Sequence, residues 1–87
     1  MSDANESLLT FPTDLPIKVL GRNETAFRDA ALAIVAAHYG AAYTVVEQQS
    51  KQGSYVSLTI TVRAESRAQI DAVYQDLVAH ELILMAL

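Results

Sequence analysis

Between Tyr55 and Ala64 the side chains alternate: Val56, Leu58, Ile60 and Val62 are branched and apolar, while Tyr55, Ser57, Thr59 and Thr61 carry hydroxyls. A period of two is that of a strand with one face in a core. Gly53–Ala64 is therefore expected to hold a strand whose second face is an unbroken hydroxyl row. Upstream, "IKVLG" (Ile17 to Gly21) reads as a short strand ending in a glycine turn. It follows "FPTDLP", where two prolines withhold ladder donors and force their predecessors into extended backbone. Phe11 reads as an apolar anchor tucking this lead-in onto the domain.

The period then changes to that of a helix. Phe27, Ala31, Ile34, Val35 and His38 fall on one face at 3.6-residue spacing, opposite Ala33, Ala36, Ala37 and Asp29. Asn23 is the expected N-cap of a helix over Glu24–His38, and Gly40 its expected stop. "AYTVVEQQ" (Ala42 to Gln49) reads as a second strand with weaker alternation. It joins the next through the "SKQGS" loop, where Gly53 can take a positive φ. Ser66 with Gln69 forms a capping-box pattern that opens a second helix to about Ala79. Its apolar stripe is Ile70, Val73, Tyr74 and Leu77, with Arg67, Asp71, Gln75 and Asp76 facing away. "ELILMAL" (Glu81 to Leu87) is expected to be a last strand.

The order strand, helix, strand, strand, helix, strand in this length fits an α+β fold, the ferredoxin-like plait: βαββαβ, a four-stranded antiparallel sheet with two helices on one face. Residues 1–10 read as a flexible tail and residues 11–87 as the single domain. In this topology the first and third strands are central, so the hydroxyl row lies in the middle of the face without helices.

Composition narrows the function. The 87 residues are 52% hydrophobic and 18% charged, too apolar for disorder, and short enough that stability depends on tight packing or assembly. The net charge is −4 and the six Lys/Arg are scattered, which speaks against a nucleic acid or an anionic membrane as partner. With no cysteine there is no disulfide, thiolate nucleophile or Cys-based metal site. "MSDANESLL" has neither the basic nor the apolar region of a secretory leader, and no apolar run reaches the ~20 residues of a membrane helix. A cytoplasmic protein is expected.

The chain offers no catalytic constellation. His38 sits on an apolar stripe and reads as a hydrogen-bonded core histidine; His80 reads as a helix terminator acting on the dipole. No Ser–His–acid set, isolated carboxylate pair, HExxH or phosphate-binding glycine motif occurs. No enzyme, cofactor or metal is expected.

Three surfaces are candidates for binding. The open sheet face carries Tyr55, an aromatic of the kind RNA-binding plaits stack on bases, but the first strand contributes Lys18 and no aromatic. The alternative is a wettable face of residues with good β-propensity. The last strand is apolar on both sides. Leu82, Leu84, Met85 and Leu87 are candidate interface residues for a homodimer or a protein partner, unless Leu8, Leu9 and Phe11 fold over them. The turn "GRNE" could hold a small anion at a helix start, with Glu24 opposing it; the alternative is a tight turn with an N-cap.

The "FPTDLPIKVLG" lead-in, the "SKQGSYVS" hairpin and the "LMAL" ending resemble the YbeD-like family of small bacterial proteins of unknown function. The most specific part is S-x-x-G-x-Y-x-S, here Ser50, Gly53, Tyr55 and Ser57, with Pro12, Lys18, Val19 and Gly21 upstream. The resemblance implies a bacterial, cytoplasmic βαββαβ domain similar to ACT-type regulatory domains, which bind small effectors such as amino acids. It also implies a genomic neighbourhood near lipoate-synthesis genes. Gln52 and Leu84 replace residues more often basic in the family, which lowers positive charge. The expectation is a non-enzymatic regulatory module binding a small effector or a partner protein at Gly21, Arg22, Asn23, Ser50, Gly53, Tyr55 and Ser57. The alternative is an adaptor working through the apolar last strand and the open sheet face.

Overall fold

The computed structural model describes residues 10–87. The expected tail, and with it Leu8 and Leu9, falls outside them apart from Thr10. The elements are β1 (Thr13–Arg22), α1 (Thr25–Tyr39), β2 (Tyr43–Gln49), β3 (Tyr55–Ala64), α2 (Arg67–Ala79) and β4 (Met85–Ala86). All strands pair antiparallel in the order β2-β3-β1-β4. This is the ferredoxin-like plait, with β1 and β3 central.

One face of the sheet is the core. Ile17 and Val19 of β1 and Val56, Leu58, Ile60 and Val62 of β3 pack against Phe27, Ala31 and Val35 of α1 and Val73 and Leu77 of α2, all buried. Each of the fully buried Val, Leu, Ile and Phe side chains stabilises the fold by about 1.5–3 kcal/mol. Gly21, at the end of β1, is buried against the Phe27 ring, which occupies the space a side chain would need.

Several boundaries differ from the sequence reading. β1 starts four residues before Ile17 and contains Pro16. The even-numbered residues of β1 direct their backbone groups away from β3: Lys18 and Leu20 bond instead to Leu87 and Leu84. Pro16 belongs to the same row at a point β4 does not reach, so its missing N–H breaks no ladder bond. The last strand is far shorter than Glu81–Leu87 because His80–Leu82 turn first; the His80 Nδ1 accepts a hydrogen bond from the Leu82 N–H at 3.1 Å. His80 is therefore the C-cap residue that ends α2, its backbone N–H donating to the Leu77 carbonyl and its ring holding the turn that follows.

Asn23 does not cap α1. Glu24 holds that position without a side-chain bond, and Asn23 faces the hairpin. His38 is not a core residue either. It lies half-buried at the helix–helix boundary, its Nε2 2.7 Å from Asp76 Oδ2, so Asp76 reaches across to α1 and does not simply face away. The capping box of α2 is present in altered form: Ser66 Oγ accepts from the Gln69 N–H, and Gln69 Oε1 accepts from the Glu65 N–H.

Candidate functional site

The pairing of β1, β2 and β3 fixes which side chains reach the open face. Ile17, Val19, Val56 and Leu58 point to the helices, so Lys18, Leu20 and Arg22 of β1 and Tyr55, Ser57, Thr59 and Thr61 of β3 point away. Thr44, Val46 and Gln48 of β2 stand opposite Thr61, Thr59 and Ser57 on that same face. The hydroxyl row is thus at the centre of the uncovered face, as the alternation implied.

At the hairpin end of this face lies a shallow depression of about 240 Å³ lined by Lys18, Leu20, Gln48, Ser50, Tyr55 and Ser57. Ser50 holds its rim. The Ser50 N–H donates to the Tyr55 carbonyl at 2.9 Å, and Ser50 Oγ accepts from the Tyr55 N–H at 3.1 Å. Gly53 closes the loop at φ 78°, donating to the Ser50 carbonyl at 2.9 Å. That positive φ is the conformation L side chains avoid. The Ser57 hydroxyl donates to the Gln48 carbonyl at 3.4 Å. Tyr55 is 41% exposed and its ring lies beneath the Arg22 guanidinium, whose Cζ is 5.9 Å from the ring centroid.

Behind this rim a polar network ties the hairpin to α1. Asn23 Nδ2 donates to the Gly53 carbonyl at 2.9 Å, and Asn23 Oδ1 accepts from Arg28. Arg28 also forks onto Glu47 of β2, at 2.8 Å and 2.7 Å. The hydrogen bond from Arg28 holds the Glu47 carboxyl below its usual value.

The fold also sorts the charges. Asp14 is the one side-chain carboxylate that β1, β2 and β3 place on the open face, and it is taken up by Arg63 at 3.0 Å. The other carboxylates among the described residues lie on the helices, in loops, or, for Glu47, on the helix side of β2. Lys18 and Arg22 remain on the open face beside the depression. Charges that look scattered along the chain form a cationic patch on this face of an acidic protein.

The residues proposed from sequence divide accordingly. Ser50, Tyr55 and Ser57 line the depression, and Arg22 flanks it. Asn23 and Gly53 hold the loop's shape from behind. Gly21 is buried beneath Phe27 on the other side of the sheet and does not reach the depression. Lys18, Leu20 and Gln48 were missed as lining residues. Lys18 was legible as the residue between buried Ile17 and Val19; Gln48 required the register of the hairpin. Of the proposed interface residues, Leu84, Met85 and Leu87 are 53%, 49% and 65% exposed, while Leu82 is half-buried. Met85 shares the open face with Leu20, its partner in register.

The depression presents one ammonium, hydroxyls and an amide, and the histidines lie away from it, on α1 and after α2. Among the described residues no group of three or more His, Asp or Glu could hold a metal ion, and no helix is long and apolar enough to cross a membrane.

The chain matches a family model described as "Protein of unknown function (DUF493)" over residues 6–87. A UPF0250 protein of Paraburkholderia phytofirmans is 38% identical over 89 residues, covering 100% of both chains. Another, of Nitrosomonas europaea, is 39% identical over 85 residues, covering 94% of this chain and 97% of that one. A third, of Bordetella parapertussis, is also 39% identical, over 94% of this chain and 92% of that one.

Proposed function

This chain belongs to the DUF493 (UPF0250) family of small bacterial proteins of unknown function, the YbeD-like group its hairpin motif resembles, and from that premise we propose that it is a non-enzymatic regulatory module that binds a small carboxylate-bearing effector in the depression on its open sheet face. The observation that carries this reading is the placement of Lys18 with the Gln48 amide and the Tyr55 phenol, beside Arg22, on a face whose one side-chain carboxylate is already paired. An ammonium with hydroxyl and amide donors is what a carboxylate needs for charge-assisted hydrogen bonds. A depression of about 240 Å³ is smaller than the usual range of about 300–1,000 Å³ for drug-sized ligands, so the effector is of amino-acid size. The resemblance to ACT-type domains supports the same class of ligand.

Titration of the full chain with glycine, glutamate and succinate, followed by amide NMR shifts, tests this. Saturable shifts clustered at Lys18, Gln48, Tyr55 and Ser57, absent in Tyr55→Ala, are expected. Weak, unsaturated shifts spread over the surface would reject it.

A second reading, the protein-interaction adaptor, is favoured by the exposure of Leu84, Met85 and Leu87 at the β4 edge. On that reading Leu84→Lys abolishes partner binding and Tyr55→Ala leaves it intact.

A further inference from the structure

The two edges of the sheet are protected to different degrees. Beyond β4, the free stretch of β1 carries Pro16 in its outward row, a device that blocks strand addition. β2 has no such device. Tyr43–Gln49 contains no proline, lysine or arginine, and pairs with β3 without a bulge. Its single charge, Glu47, is drawn onto Arg28 of α1. The Tyr55 backbone bonds toward Ser50, so odd-numbered residues of β3 face β2 and even-numbered residues of β2 face back. The N–H and C=O groups of Val45, Glu47 and Gln49 and the C=O of Tyr43 therefore point outward, without a partner among the described residues, while the Tyr43 N–H donates to the Ala41 carbonyl at 3.0 Å.

We infer that this edge is a self-pairing surface on which β2 of a second copy adds antiparallel, about a twofold axis at Val46, to make one continuous eight-stranded sheet. The register follows from the chemistry. Centring on Val46 sets Val45 opposite Glu47 of the second copy, where both exchange N–H and C=O bonds, and Tyr43 opposite Gln49, whose N–H meets the free Tyr43 carbonyl. Shifting the axis to Glu47 would oppose two carboxylates, and shifting it to Val45 would leave Gln49 unpaired. Val46, 66% exposed on the open face, then packs against its own copy. Thr44 of the second copy stands across from Gln48 at the rim of the depression. The inference rests on the edge geometry and not on the effector reading.

The test is the mass and the crosslinking of the full chain. Light scattering should give twice the 9.5 kDa chain mass, reduced to a single chain by Val46→Lys, which opposes two ammonium groups while leaving the fold's circular dichroism unchanged. The chain has no cysteine, so Val46→Cys introduces a single thiol. Opposed positions in a non-hydrogen-bonded antiparallel pair are about 4.5 Å apart at Cα, within the disulfide range of about 4.4–6.8 Å. Mild oxidation should crosslink Val46→Cys and leave Thr44→Cys uncrosslinked, its two copies being about 14 Å apart at ~3.4 Å per residue. A single-chain mass at the highest attainable concentration would overturn the inference. So would a Val46→Lys dimer, or crosslinking of Thr44→Cys as fast as Val46→Cys.

Discussion

Gly21 and Phe27 compete for one space: a Cβ on Gly21 would fall inside the Phe27 ring, which is fully buried on the core face of β1. Gly21→Ala is therefore an overpacking change, expected to cost about 1–3 kcal/mol. At about 4–8 °C per kcal/mol for a domain of this size, the melting temperature should fall visibly. Combining it with Phe27→Leu should be less damaging than the sum of the two single changes, because the second makes room for the first. Strict additivity in a double-mutant cycle would show that the two residues do not compete.

Asn23 spends its amide on the hairpin and on Arg28, not on the helix start. Asn23→Ala removes both bonds and should cost about 1–2 kcal/mol in chemical denaturation. Amide exchange should quicken at Gly53 and Tyr55 and stay unchanged in the middle of α1. Faster exchange in the first turn of α1, with the hairpin untouched, would instead indicate a capping role.

The Arg28–Glu47 pair makes a prediction for acid. The hydrogen bond from Arg28 lowers the Glu47 carboxyl below its ordinary value of 4.5. A depressed folded value gives stability that is fully present above the unfolded value and lost as pH falls through the folded one. The difference in melting temperature between the wild type and Glu47→Gln should be greatest at neutral pH and should close in acid. A difference independent of pH would mean the pair contributes no charge-dependent stability.

Two tyrosines at the α1–α2 boundary should behave oppositely. The Tyr39 hydroxyl is buried without a hydrogen-bond partner, while the Tyr74 hydroxyl donates to the Leu87 carbonyl at 2.7 Å. Tyr39→Phe should leave stability equal or raise it by about 1 kcal/mol, and Tyr74→Phe should lower it by a similar amount. Burial raises both phenols above the ordinary 10.0. Their neutral forms support the fold below that value, and the support is lost as pH rises through the folded values. An ultraviolet titration should show two late-ionising phenols, one of them missing in each variant.

The plait was legible because its signals are strictly periodic: Val56 to Val62 alternate, and Phe27, Ala31 and Val35 recur at helical spacing. What escaped was set by tertiary context. Pro16 lies inside a strand because its nitrogen faces a place β4 does not reach, which only the pairing of β1 reveals. β2 alternates poorly because both its faces are largely exposed, with Val45 on the helix side and Val46 on the other both open. The same applies to the site. Tyr55, Ser50 and Ser57 stood out in a local motif, but Lys18 joins them only across the β1–β3 pairing. The cationic character of the face appears only once Asp14 is paired with Arg63 and Glu47 is turned to the helix side of β2.

The central claim, that the depression beside Lys18 and Tyr55 holds a small carboxylate, is tested most directly by thermal unfolding of the full chain against a panel of amino acids and short carboxylic acids. A true effector at about a hundred times its dissociation constant should add about 2.7 kcal/mol, an upward shift of more than about 10 °C for a domain this size. Lys18→Gln and Tyr55→Ala should each abolish it. A flat panel, or a shift that survives in both variants, would contradict the claim.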